Sequence, residues 1–305
     1  MHEILSLRQA ILATFHYFDL FDWPLTLQEV EEYLYGWSAP KSAIEATLEV
    51  MEEDINHAHG FYWLKGREKI CELRKERVLI EEKLWKRTNR FSWFFALCPF
   101  LRMAAVCNSL AYGNVKETSD IDVFIVTEKG RFSTVRLFLK ILTQIFKMRV
   151  HHDKISGRFC LSFFVSEKAI NLETLAHKFD PHLAYFTKMM KPIFGEKTYL
   201  KFVKDNSAWT EKYFKRPLAP DLKGLRRHHS LARFFGFLIE TFLRLFGGLI
   251  EILAVKIQSK RDSERKKQFS GSDNGIVTNK DIFKFHEQDP RQSIAEDFTN
   301  RLELI

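Results

Sequence analysis

Cysteine is scarce and unpatterned in this chain. Cys71, Cys98, Cys107 and Cys160 stand at spacings that match neither a disulfide framework nor a metal-binding cluster. That argues against a small stapled secreted fold and suits a reducing compartment, so the expected location is cytoplasmic. Residues 1–23, "MHEILSLRQAILATFHYFDLFDW", lack a basic leading region and a small-residue cleavage site, and no signal peptide is expected. No internal repeat is present. Basic residues are nearly missing from the first sixty positions, where Arg8 and Lys41 face eleven acids.

What is present is a soluble-protein composition over 305 residues, 46% hydrophobic and 28% charged, long enough for two domains. The net charge of +8 conceals an asymmetry. Residues 1–88 carry −5 and residues 89–305 carry +13, so a polyanion should prefer the second part.

Leu7, Ile11, Leu12 and Phe15, with Ile4 before them, recur at helical spacing. "TLQE" then offers a capping box, Thr26 with Glu29, opening a second helix through Tyr35. A third is predicted from Pro40 to Glu53 with Ile44, Leu48 and Met51 inward. "INHAHGFYWLKG" reads as two short strands about a glycine turn, and a long charged helix leads out to Phe91. Three helices and a hairpin outline a winged helix-turn-helix. Its third helix presents Glu45, Glu49, Glu52 and Glu53, a surface that repels phosphate, so duplex DNA is not the expected partner. The module reads as a protein-docking unit, with Lys65, Arg67 and Lys69 its only basic spot. Beyond it, a strand (103–107), a glycine-containing loop, a strand (121–127), a helix (133–147) and a strand (158–166) indicate a small α/β sheet. After Asn171 the pattern turns helical, and "KRPLAPDLKG" reads as a linker.

The most apolar segment is residues 231–255, "LARFFGFLIETFLRLFGGLIEILAV". Its length would span a bilayer, but Arg233, Glu240, Arg244 and Glu251 fall on one helical line. Each such charge costs about 2.5–3.5 kcal/mol at a bilayer centre, so no transmembrane span is expected. The expectation is one helix buried against others with its polar stripe wet, and with Gly236 and Gly247 permitting close approach. The basic run behind it, "KIQSKRDSERKKQ", leaves membrane-surface contact open. Residues 269–275 read as a loop.

Within "VCNSLAYGNVKETSDIDVFIVT", residues 106–127, two acids interrupt an apolar run. Strand alternation projects Asp120 and Asp122 to one face while Ile121, Val123 and Ile125 take the other. Two carboxylates held together repel, and a divalent cation turns the repulsion into attraction. His57, His59, His151 and His152 lack a matching ligand set and read as surface residues. Trp23, Trp37 and Trp63 read as core.

These residues resemble the nucleotidyltransferase superfamily that includes DNA polymerase β, the aminoglycoside nucleotidyltransferases and the minimal nucleotidyltransferases. The signature there is hydrophobic-Gly-Gly/Ser, a spacer of roughly nine to thirteen residues, then Asp-hydrophobic-Asp/Glu. Here it runs Val106-Cys107-Asn108-Ser109, ten residues, then Asp120-Ile121-Asp122-Val123. The resemblance implies a nucleoside triphosphate substrate, a hydroxyl acceptor on RNA, protein or a small molecule, and Mg2+ or Mn2+ on Asp120 and Asp122. It implies nucleotide contacts from Asn108, Ser109, Gly113 and Ser119. The turn glycine is replaced by Asn108, the non-glycine residue most tolerant of positive φ. A third acid, often on the next strand, is missing from "RFCLSFFVS"; Asp153 and Glu167 are the nearest candidates. The expected fold is α+β: a winged-helix-like module (1–88), a small mixed-sheet nucleotidyltransferase core (89–170), a helical region (171–268) and a tail (269–305). The expected activity is Mg2+-dependent transfer of a nucleoside monophosphate. The alternative is a catalytically weak or silent nucleotide- or RNA-binding protein whose N-terminal module docks a partner.

Overall fold

A computed structural model describes residues 5–150, 155–225, 229–268, 276–285 and 289–305. Ile4, His151, His152, Asp153 and the 269–275 loop lie outside the described residues. The chain is mixed α/β with a mixed sheet.

The N-terminal part follows local signals closely. Helix α1 (Leu7–Asp19) starts in a capping box, Ser6 with Gln9. Strand β1 (Leu25–Thr26) leads into α2 (Leu27–Tyr33), whose capping box pairs Thr26 with Glu29. Helix α3 (Lys41–Glu49) buries Ile44 and Leu48, and strands β2 (Ile55–Ala58) and β3 (Phe61–Leu64) form an antiparallel pair with β1 at its edge. Helix α4 (Lys69–Phe91) and the short α5 (Trp93–Leu97) lead to the second sheet. The basic spot near the hairpin is partly consumed internally, since Arg67 Nε donates to Asp19 at 2.6 Å and its guanidinium also pairs with Asp22. His57 and His59 are exposed, while Trp23 and Trp63 are buried.

The central sheet has the order β7-β4-β5-β6-β9-β8. Strand β4 (Leu101–Val106) runs antiparallel to β5 (Ile121–Thr127), with α6 (Asn108–Tyr112) between them. Helix α7 (Phe132–Ile145) then crosses over to β6 (Phe159–Ser166), parallel to β5. Helix α8 (Pro181–Met189) precedes β7 (Lys191–Phe194), which pairs with β4, and α9 (Glu196–Thr210) follows. The sheet expected within 89–170 thus takes a strand from the region read as helical. The four residues of β7 are too short for periodicity to separate from the helices on either side. The tail contributes too: β8 (Ile276–Thr278) and β9 (Ile282–Phe285) extend the far edge beyond β6, and α12 (Arg291–Leu302) packs on α1 and α8.

The pleat divides the core. Met103, Ala105, Cys107, Phe124 and Val126 join a cluster that also holds α1 and the inner faces of α8, α9 and α12. Ala104, Val106, Ile121, Val123 and Ile125 join a second cluster under α5 and α7. The N-terminal helices therefore share a core with C-terminal ones. Tyr17 of α1 stacks on Tyr185 of α8 at 4.0 Å between ring centres.

The 231–255 segment departs most from expectation. It is two helices, α10 (Ser230–Arg244) and α11 (Leu249–Gln268), broken at Gly247, whose φ of 52° makes the turn. Glu240, Arg244 and Glu251 of the polar stripe bond to the body of the chain, Arg233 stays exposed, and the apolar face is outward. Glu240 accepts from the Phe100 backbone N–H at 2.7 Å and from Arg102 Nη2 at 2.8 Å, and Arg244 grips Glu128 at 2.6 Å. Glu251 caps α7, accepting from Ser133 N at 2.7 Å and Thr134 N at 2.9 Å. Gly236 allows the close approach expected of it, because a Cβ there would lie 2.5 Å from the Ala96 carbonyl oxygen on α5.

Burial works to raise the pKa of Glu240, but the hydrogen bonds from Arg102, Phe100 N–H and Arg244 outweigh it and hold the carboxyl at about 2. A depressed carboxyl stabilises the fold fully above its unfolded value of 4.5, and that contribution is lost as pH falls from 4.5 toward 2. The stabilities of wild type and Glu240→Gln should therefore differ above pH 4.5 and converge progressively as pH falls from 4.5 toward 2.

Candidate metal and nucleotide site

Two adjacent strand ends create the site. Strand β5 enters the sheet between β4 and β6, so residues at its start meet the end of β4 and the start of β6. Cys107 N donates to the Asp122 carbonyl at 3.0 Å, and Ile121 N donates to the Arg158 carbonyl at 2.8 Å. These bonds fix the backbone on both sides of Ile121. With Ile121 committed to one core cluster, Asp120 and Asp122 share the other face.

One ligand atom from each of Asp120, Asp122 and Cys160 lies within 4.8 Å of the other two. Asp122 is the direct register partner of Cys160. Among the described residues neither aspartate has a Lys or Arg partner, so the pair is not a structural salt bridge. Burial first, then the charge of Asp122, pushes the Asp120 carboxyl up to about 7. The Cys107 and Cys160 thiols are raised by the same two causes in the same order. This is the electrostatic profile of a place that lacks positive charge.

Asn108 opens α6, separated from β4 by Cys107 alone, and adopts φ 53°, the conformation a glycine would supply. Its side-chain Nδ2 donates to Asp122 Oδ2 at 3.0 Å. Asn108, Ser109 and Tyr112 line a cavity of about 270 Å3, bounded also by Phe21, Phe163, Phe186 and His182. Neither aspartate is in the wall of this cavity; Asn108 lines it and holds Asp122. His182 is half-buried in the cavity wall, desolvation lowers its pKa to about 4, and its Nδ1 lies 2.9 Å from the Tyr17 hydroxyl.

The remaining expected contacts fall elsewhere. Gly113 is the left-handed C-cap of α6 and presses against the first part of the chain: a Cβ there would lie 2.6 Å from Glu81 Oε2 and 3.3 Å from Trp23. It does not line the cavity. Ser119 closes its own turn, its hydroxyl accepting from Lys116 N at 2.9 Å. Glu167 follows the far end of β6, seven residues from Cys160 and so about 23 Å away along a strand, and cannot serve as a third acid.

Comparison with known proteins returns no matching family model, curated protein or solved structure. The site therefore stands on its geometry.

Two features escaped the sequence reading. Cys160 joins the two carboxylates; its register with Asp122 was the missing information. Tyr112, four residues from Asn108 on the same short helix, has a buried hydroxyl with no hydrogen-bond partner among the described residues. An unpaired buried phenol costs about 1–3 kcal/mol unless a ligand answers it.

The donor set fits a hard divalent cation. Two carboxylates supply the oxygens that Mg2+ or Mn2+ prefers. Without a bound cation, burial and the negative neighbours push the Cys160 thiol up, and its soft sulfur suits a hard cation less than the carboxylates do.

Proposed function

We propose that this chain is a nucleotidyltransferase that moves a nucleoside monophosphate from a nucleoside triphosphate to a hydroxyl acceptor. The observation that carries the reading is the convergence of Asp120 and Asp122, partly buried and without a Lys or Arg partner among the described residues, beside the Asn108–Ser109 turn and its cavity. The winged-helix outline read in the first part and the sequence resemblance of residues 106–123 to a nucleotidyltransferase signature belong to the same reading.

Asp120 and Asp122 would hold the divalent cation. When bound, it neutralises the triphosphate and the charge that develops on the oxygens during displacement. The chain's own residues do the positioning. Asn108 fixes Asp122 and borders the cavity, Ser109 offers a hydroxyl to the phosphates, and the aromatic wall of Phe21, Phe163 and Phe186 suits a nucleobase. Positioning and charge neutralisation supply most of the catalysis in phosphoryl chemistry. The acceptor class is RNA, a protein side chain or a small alcohol.

The test is incubation with each α-labelled triphosphate, Mg2+ and candidate acceptors, comparing wild type with Asp120→Ala/Asp122→Ala. Label transfer that persists undiminished in the double variant removes the assignment.

Tyr112 gives an independent check. Tyr112→Phe should raise KM for the nucleotide about tenfold and leave the thermal midpoint unchanged or higher, because the orphan hydroxyl is removed. A lowered midpoint with unchanged KM would mean that the hydroxyl has a structural partner instead.

Cys160 supports a second reading, a silent nucleotide- or RNA-binding protein, since a protonated thiol takes no proton from an acceptor. Under that reading wild type binds the magnesium nucleotide without turnover, and Cys160→Asp creates transfer activity.

A further inference from the structure

Thirteen large apolar side chains between Leu231 and Ile257 are exposed. Leu231 is 74% exposed, Phe237 65% and Leu245 78%, which is far more contiguous apolar surface than scattered surface hydrophobes provide. The patch is not a loosely hung segment. Glu240 and Arg244 tie α10 to Arg102 and Glu128, Glu251 and Gln258 tie α11 to the start of α7, and Arg131 donates to the Gly247 carbonyl at the turn. Every charge of the helical stripe from Glu240 to Glu251 is thus turned inward and used, and the outward face of both helices is left apolar.

No described helix is long and apolar enough to cross a membrane. The charge next to the patch indicates what covers it. Helix α11 continues from its apolar first half into "KIQSKRDSERKKQ", six basic residues against two acids, and "RRHH" precedes α10. A second copy of the chain would meet the patch with its own, and a two-fold contact would bring the like-charged runs together at the interface. An anionic surface meets both features favourably. Apolar side chains enter the boundary between headgroups and acyl chains, and flanking lysines and arginines meet the headgroups.

We propose that the outward faces of the successive helices α10 and α11 are a monotopic docking surface for anionic lipid membranes. The inference does not depend on the nucleotidyl-transfer reading.

The experiment is cosedimentation of the full chain with vesicles of phosphatidylcholine alone and of phosphatidylcholine mixed with phosphatidylserine, alongside sedimentation velocity without lipid. Wild type should bind the mixed vesicles about tenfold or more tightly than the neutral ones. Phe237→Ser/Phe242→Ser/Leu253→Ser should weaken that binding by about 100-fold or more, with circular dichroism and thermal midpoint retained, because all three side chains are already outside the core. Lys256→Gln/Lys260→Gln/Arg261→Gln should keep the weak neutral binding and lose the preference for phosphatidylserine. A wild-type chain that stays in the supernatant with both vesicle types overturns the proposal. So does a lipid-free dimer that the serine triple variant dissociates while vesicle binding is unaffected.

Discussion

If the proposed function holds, replacing Asp120 and Asp122 together by asparagine should lower nucleotidyl transfer by about a thousandfold or more, with triphosphate binding in Mg2+ reduced in parallel. The size follows from what is removed. A cation clamp on a transferring phosphoryl group acts where charge develops, and loss of one such electrostatic contact alone costs about 10²–10³ in rate. The same change makes the metal-free protein more stable. The Asp120 carboxyl is raised from 3.8 to about 7 by burial and by Asp122, so its unfolded form gives up the proton more easily than its folded form. Stability is therefore lost as pH rises from 3.8 through 7, and Asp120→Asn should recover about 1–3 kcal/mol at pH 8 in the presence of a chelator. A variant that loses activity and gains metal-free stability is the signature of a functional site held against its electrostatics. Urea titrations in chelator, paired with transfer assays in Mg2+, check both halves.

Arg291→Leu produces the largest stability effect, a loss of about 3–5 kcal/mol. Asp180 is fully buried at the start of α8, where it accepts from Leu183 N at 2.9 Å. Arg291 Nη1 donates to Asp180 at 2.9 Å and to the Leu175 carbonyl at 2.8 Å, and its Nε reaches Asp289 at 2.9 Å. Lys284 on β9 also pairs with Asp289. Burial works against the ionised Asp289, but Arg291 and Lys284 outweigh it and hold its carboxyl well below the usual carboxylate range. Removing the guanidinium leaves two buried carboxylates sharing one lysine and detaches α12 from α8. Because Lys284, Asp289 and Arg291 also border the cavity, the variant should lose nucleotide affinity as well. Urea unfolding measures the first effect, and a shift below about 1 kcal/mol would mean that the network carries little of the fold.

The elements most legible in sequence are those that local chemistry decides. The Thr26–Glu29 capping box starts α2 where the pattern places it, and the glycine turn of "HAHGF" joins β2 to β3. Strand alternation through Ile121, Val123 and Ile125 puts these residues in one core cluster and leaves Asp120 and Asp122 the opposite face. What needed tertiary information is equally specific. The period of residues 231–255 defines a polar stripe but not which way it points, and Arg102, Glu128 and the start of α7, 100 residues or more away in the chain, decide that Glu240, Arg244 and Glu251 point inward. The length of β7 falls below what a period can reveal, and β8 and β9 are strands because the edge of β6 is there to be paired. Cys160 became part of the site through its register with Asp122, which no local pattern states.

The most direct measurement is anomalous scattering from a crystal grown with Mn2+ and a non-hydrolysable nucleoside triphosphate. The account predicts a metal peak coordinated by oxygens of Asp120 and Asp122, with the triphosphate against Asn108 and Ser109. Ordered nucleotide elsewhere, with no metal at these two carboxylates, would contradict it.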